Sequence, residues 1–213
     1  MDYNGRVLIL AGPSGVGKTT VMNEVIKRSE DFELVRSATT RQRRNDGNDG
    51  EYIYSTKEEF LALCERGDML EFTEYGGNFY GTPYSEIERI LKRGKTPLLI
   101  LDINGVRSMK KRKLSFDVYS IYLYAPLETI SERLSRRYID GSETGAEHYV
   151  TRMKNNVKDY RNMRLYEELF DISIPSLSVE KTVEDVFDAF WGDKKGFDAK
   201  SFVKMAENTE ISF

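Results

Sequence analysis

The stretch from Gly12 to Thr19, G-P-S-G-V-G-K-T, constrains this chain more than any other. It fits the spacing Gly, four residues, Gly, Lys, Ser or Thr that marks a phosphate-binding loop. The apolar run Val7-Leu8-Ile9-Leu10-Ala11 precedes it, and from Thr20 onward Met22, Val25 and Ile26 recur at helical spacing. Strand, glycine loop and helix in that order are what the chemistry requires: glycines let backbone N–H groups turn inward onto phosphate oxygens, and the helix N-terminus adds partial positive charge. Gly12, Pro13, Ser14, Gly15, Val16, Gly17, Lys18, Thr19 and Thr20 are therefore expected to cradle a nucleoside triphosphate. Lys18 would reach the β and γ phosphates, and the Thr19 hydroxyl would ligate Mg²⁺. Such a loop serves kinases, ATPases and GTPases alike, so it names no reaction.

With 213 residues the chain can bury a hydrophobic centre as one domain with small insertions. A net charge of −3, with 31% charged residues, implies a mixed-charge surface and gives no reason to expect a nucleic-acid partner. Cys64 is the single cysteine, which excludes an intramolecular disulfide; set in Phe60-Leu61-Ala62-Leu63-Cys64, it reads as a small core hydrophobe. Met1-Asp2-Tyr3 leads straight into the first strand without a secretory pattern, and no apolar run approaches the length of a membrane span. A soluble, cytoplasmic protein without a membrane partner is the expectation.

Further along, Phe32 to Val35 reads as a second strand and delivers the chain to Arg36-Ser37-Ala38-Thr39-Thr40-Arg41-Gln42-Arg43-Arg44, a dense set of anion donors. Asn45 to Gly50 is turn chemistry, and Glu51 to Ser55 alternates as a strand. Thr56, with Glu59 three residues on, reads as the capping box of a helix through about Glu65. Met69 to Tyr75 is strand-like, and from Thr82 a helix is expected to about Arg93 with Pro83 at its first position. Pro97 to Ile103 reads as a strand covered on both faces, with Asp102 at its carboxyl end, where ligands of open α/β sheets bind; Asp102 is therefore a candidate for the substrate or magnesium side of the site, the alternative being a helix or strand cap. Val118 to Tyr124 is another strand. Leu127 to Arg137 and the stretch from His148 to about Leu169 read as helices around a flexible tip, a lid that could close over phosphates; His148 itself reads as a surface residue. Phe170 to Ile174 is a last strand, and Val183, Val186, Phe187, Phe190 and Trp191 form the stripe of a closing helix. Beyond Gly192 the chain turns polar and reads as an appendage.

The phosphate loop, Ser37-Ala38-Thr39-Thr40-Arg41, Glu71, Asn78-Phe79-Tyr80-Gly81-Thr82 and Leu101-Asp102-Ile103, in that order and at these separations, resemble guanylate kinase over roughly residues 5 to 190. The resemblance implies an α/β fold, a P-loop NTPase-type parallel sheet flanked by helices, with an inserted β-rich GMP-binding domain and a helical lid. It divides the chain into a core (1–35, 83–135 and 153–191), a GMP-binding insertion (36–82), a lid (136–152) and a C-terminal tail (192–213). It implies ATP and Mg²⁺ as cofactors and GMP, or dGMP, as acceptor, in a monomer or homodimer. By the same resemblance Arg41, Arg44, Tyr52 and Tyr80 would hold the GMP phosphate, Ser37, Glu71 and Thr82 would read guanine, and Arg133, Arg137 and Arg152, with Lys18, would neutralise the transferring phosphoryl group.

The chain departs from the family's pattern in four places. The loop after Arg44 is one residue shorter; Asn104-Gly105 follows Asp102-Ile103 directly, with one carboxylate fewer and a tighter turn; the lid is longer; and Pro175 stands where an asparagine is usual near the adenine. Two rival readings follow: a related kinase acting on another monophosphate or sugar phosphate, and a non-catalytic module that binds a phosphorylated peptide. The second fits poorly with an intact Gly17-Lys18-Thr19, and a regulatory GTPase fits worse, since no Asn-Lys-x-Asp motif is present.

Overall fold

The protein is described from a computed structural model covering residues 5–43, 52–139 and 146–207. The main sheet has five strands in the order β2-β7-β1-β8-β9. These are β1 (Arg6–Ala11), β2 (Phe32–Leu34), β7 (Thr96–Ile100), β8 (Asp117–Tyr124) and β9 (Ile172–Pro175). The β2/β7 and β8/β9 pairs are parallel, as the continuous apolar runs predict for strands covered on both faces. A second sheet, in the order β4-β3-β6-β5, is built from β3 (Ser37–Thr39), β4 (Tyr52–Tyr54), β5 (Met69–Tyr75) and β6 (Asn78–Pro83).

Contacts group the chain into two compact units: Met1–Ile9 with Val25–Val118, and Leu10–Glu24 with Tyr119–Phe213. In the first, α2 (Lys57–Glu65) starts at the expected capping box: the Thr56 hydroxyl accepts from Glu59 N–H, and the Glu59 carboxylate accepts from Thr56 N–H. Phe60 from this helix meets Ala38 and Met69 in a small core under the second sheet, with half-buried Cys64 at its edge. Helix α3 (Tyr84–Lys92) begins later than its sequence suggests. Thr82 and Pro83 remain in the β6 ladder opposite Glu71 and Met69, and Pro83 is the extended N-cap rather than the first helical residue. The strand expected to Ile103 ends at Ile100, because Asp102 caps a further helix, α4 (Ile103–Lys110), by accepting from Gly105 N–H at 2.7 Å. What reads as a tight turn after Asp102 is the first turn of that helix.

An ion-pair chain joins β2 and the residue before β3 to α3. Arg36 binds Glu86 with two nitrogens at 2.8 and 2.9 Å, Arg89 binds both Glu86 and Glu33, and Arg93 also reaches Glu33. Glu86 is buried; burial alone would raise its pKa, but the hydrogen bonds from Arg36 and Arg89 outweigh it and hold the carboxyl below the ordinary range. Of the arginines in the 36–44 run, Arg36 therefore serves the fold.

The second unit holds the glycine loop and α1 (Lys18–Arg28) up to Glu24, together with α5 (Leu127–Ile139), α6 (Ala146–Arg161), a 3-10 helix (Met163–Leu169), α7 (Val179–Trp191) and α8 (Ala199–Glu207). The single helix expected from His148 to Leu169 is thus α6 followed by the tighter turn, and His148 is exposed as expected. Val183, Val186 and Phe190 of α7 are buried, whereas Trp191, expected on the same stripe, is 58% exposed. The tail is not a polar appendage. Its helix α8 buries Ala199, Phe202 and Ala206, and the rings of Phe197 and Phe202 pack on Tyr122, Tyr124, Tyr160 and Phe170. Among the described residues, no helix is long and apolar enough to cross a membrane.

Candidate active site

The expected site residues fall into two groups, one in each unit. In the second unit the loop runs from the end of β1 to α1. Gly12 (φ 146°) must be glycine, because a Cβ there would collide with the Leu123 carbonyl; Gly17 (φ 107°) holds a conformation that L side chains rarely adopt. The Lys18 ammonium donates to the Gly12 and Pro13 carbonyls at 2.8 and 2.9 Å, which folds it over the loop it belongs to. Thr19 and Thr20 are exposed on the first turn of α1. Arg133, on α5, donates to the carbonyls of Val16 (2.8 Å), Ser176 (2.9 Å) and Leu177 (3.3 Å), and the Ser176 hydroxyl also donates to Val16 O. Its guanidinium thus ties the loop to the segment after β9. Arg137 lines a cleft of about 280 Å³ together with Gly17, Thr20, Val179, Ser176 and Arg136. Arg152, on α6, points Nη1 at the Ser14 hydroxyl, 3.4 Å away.

Sequence reading missed three contributors here. Arg136 stands beside Arg137 in the cleft; Ser176 supports Val16; and Asn156 bonds the backbone of Ser14 on both sides, accepting from its N–H and donating to its carbonyl, each at 2.9 Å. Arg136 falls within the helix read from Leu127 to Arg137, but nothing in the local sequence marks Ser176 or Asn156.

The second group lies on the four-stranded sheet of the first unit. Glu71 on β5 and Thr82 on β6 are direct cross-strand partners, so their side chains share a face, and the buried Thr82 hydroxyl donates to Glu71 Oε1 at 2.7 Å. Burial pushes the Glu71 carboxyl up; the Thr82 hydrogen bond pulls the other way without cancelling it, and the charge of Asp102 raises it further. Gly105 faces the same carboxylate: a Cβ there would come 3.4 Å from Glu71 Oε2. The exposed Asp102 is spent as the cap of α4 yet lies close enough to act on Glu71.

Ser37 pairs with Tyr52 in the β3/β4 ladder, and Thr39 pairs with Tyr80 in β3/β6. The rings of Tyr52 and Tyr80 meet edge-on at 6.3 Å, and the Arg41 guanidinium lies 5.2 Å from the Tyr52 ring centre. Arg41, Tyr52 and Tyr80 therefore form one cationic and phenolic cluster. Arg43 packs instead over Tyr54, at 4.9 Å. Arg44 lies outside the described residues, as do residues 140–145, where the tip of the expected lid would fall.

A glycine loop between a parallel strand and a helix, overlooked by arginines, defines a P-loop nucleotide-binding protein of the α/β class. Comparison with known proteins narrows this. The sequence model of the family described as guanylate kinase matches residues 4–193. A guanylate kinase of Clostridium perfringens is 34% identical over 186 residues, covering 87% of this chain and 82% of that protein. A guanylate kinase of Streptococcus pneumoniae is 36% identical over 170 residues, covering 78% and 79%. The crystal structure of guanylate kinase from Anaplasma phagocytophilum superposes with a TM-score of 0.64 at 26% identity, covering 90% of this chain and 87% of that one. The chain belongs to the guanylate kinase family. Helix α8 lies beyond the matched residues.

Proposed function

We propose that the protein transfers the γ-phosphoryl group of ATP to GMP, giving ADP and GDP. Beyond family membership, the observation that carries this reading is Glu71: a half-buried carboxylate held by the buried Thr82 hydroxyl is a matched double acceptor for guanine N1–H and the N2 amine. Adenine would offer a ring acceptor at the first position and no amine at the second, leaving buried groups unpaired. Thr82 then orients Glu71, and Ser37 lies on the neighbouring strand of the same sheet. Arg41, with the hydroxyls of Tyr52 and Tyr80, would hold the GMP phosphate, joined by Arg44. The rival readings of the sequence, another acceptor or a phosphopeptide module, are not favoured by the family.

On the donor side the loop's N–H groups would hold the ATP phosphates. Lys18, now on the Gly12 and Pro13 carbonyls, would exchange them for phosphate oxygens, a stronger charge-assisted bond. Mg²⁺ keeps most of its ligands as water and phosphate, so one hydroxyl at the start of α1 suffices on the protein side, and Thr19 fits that need. When bound, the ion supplies charge neutralisation between the phosphates. Arg136, Arg137 and Arg152 would stabilise charge on the group in transfer, while Arg133 shapes the loop through Val16. No side-chain base is needed, because phosphoryl transfer rests on positioning and electrostatics.

The direct test follows the label from ATP carrying ³²P at the γ position, incubated with Mg²⁺ and GMP. The reading expects the label in GDP. Label released only as inorganic phosphate would refute it.

A further inference from the structure

Asn156 is 2% exposed, and both ends of its amide are engaged by one residue of the glycine loop. Its Oδ1 accepts from Ser14 N–H and its Nδ2 donates to the Ser14 carbonyl, both at 2.9 Å. Arg152 precedes it by four residues on α6 and so shares its face; Arg152 Nη1 reaches the Ser14 hydroxyl at 3.4 Å. Helix α6 is therefore fixed to Ser14 through backbone and side chain together. The far end of the helix is also held: the Tyr160 hydroxyl donates to the Ala125 carbonyl at 2.8 Å, and its ring packs on Phe202 of α8.

A loop that turns N–H groups inward onto phosphate must present other polar groups outward, and buried ones need partners. An amide suits the task at Ser14, since it supplies one acceptor and one donor; a carboxylate has no donor and an alkyl group has neither.

We propose that Asn156 is a positioning residue for phosphoryl transfer: it holds the loop at Ser14 in its binding conformation and sets the register in which α6 presents Arg152 to the nucleotide. The inference rests on the reading that the loop binds ATP. Asn156 itself touches no substrate.

The test is steady-state kinetics on the full chain for Asn156→Ala, Asn156→Asp, Arg152→Ala and the Asn156→Ala/Arg152→Ala double variant, with Asn156→Ser in reserve should alanine fail to fold. Asn156→Ala should raise KM for ATP on the order of tenfold, what a buried hydrogen bond or two is worth, and lower kcat. KM for GMP should stay put, because the acceptor residues sit on β3 to β6. Asn156→Asp should do at least as much harm, since its carboxylate would face the Ser14 carbonyl and draw Arg152 away. In the Arg152→Ala background the loss of Asn156 should cost kcat less than half the factor it costs in the wild type, because the register then has nothing to present. A merely structural role would lower thermal stability and active fraction without separating the two substrates. The proposal is overturned by an unchanged KM for ATP, by equal rises in both KM values, or by independent losses in the double variant. A wild-type chain that turns over no ATP would overturn the underlying reading of the loop, and this inference with it.

Discussion

Changing Glu71 to glutamine keeps the size of the side chain and removes its charge. The glutamine carbonyl can still accept from the Thr82 hydroxyl, which Glu71 does at 2.7 Å, so the β5/β6 pair should stand. The other end becomes an NH₂ group that points donors at guanine's donors. A hydrogen bond to a charged group contributes about 1.5–3 kcal/mol; one of the two is lost to a donor facing a donor, and the other keeps an acceptor but loses its charge. Part of that is offset in the free protein, where the carboxylate is costly to bury, as its raised pKa records. A net loss of about 3 kcal/mol remains, which is roughly 100-fold in kcat/KM for GMP. The assay is coupled ADP release, varying GMP at saturating ATP and then the reverse. KM for ATP should move by less than about twofold, because the loop lies on other elements. A GMP efficiency within threefold of wild type, or an equal loss for both substrates, would refute the role given to Glu71.

The same carboxyl gives a pH dependence whose sign is fixed. Its pKa in the fold is raised, so the fold disfavours the anion, and Glu71 adds stability as pH falls. Guanine needs the anion, so KM for GMP should rise on acidification, beginning at a higher pH than for an ordinary glutamate, and a GMP pH profile unchanged in Glu71→Gln would contradict this. Glu86→Ala removes the anion shared by Arg36 and Arg89; both arginines are part-exposed and can rehydrate, so the expected cost is about 2 kcal/mol, read as a Tm drop of roughly 4–8 °C. That stability is present above the ordinary glutamate pKa and is lost as pH falls through the lowered one. Phe202→Ala should cost about 3–5 kcal/mol in denaturant unfolding, the loss for a fully buried ring, whereas a solvated tail would lose almost nothing. Tyr122→Phe should raise stability by about 1 kcal/mol or more, because the buried Tyr122 hydroxyl finds no hydrogen-bond partner among the described residues; a drop in Tm would show that it has one.

What the sequence made legible was set by local rules. The glycine loop, the Thr56/Glu59 capping box and the β5 strand each depend on residues a few positions apart, and all three stand where the spacing puts them. Errors arose where a distant partner decides. Thr82 and Pro83 stay extended because Glu71 and Met69 lie opposite them, although Pro83 alone suggests a helix start. β3 was hidden inside a basic run because its three residues are strand only through pairing with β4 and β6. The polar look of the tail concealed α8, whose few apolar residues matter because aromatic rings from β8 and α6 await them. Arg36 looked like an anion donor until Glu86, fifty residues on, came beside it. In the same way the Asn156 contact spans 142 positions and leaves no local trace.

The central claim is that one chain couples a triphosphate loop to a guanine-reading carboxylate. It is tested most directly by ADP release with ATP and Mg²⁺ against GMP, dGMP, AMP, CMP and UMP. Turnover confined to GMP and dGMP, abolished for both by Lys18→Ala, is the predicted result. Comparable turnover of AMP, or none with GMP while ATP still binds, would contradict it.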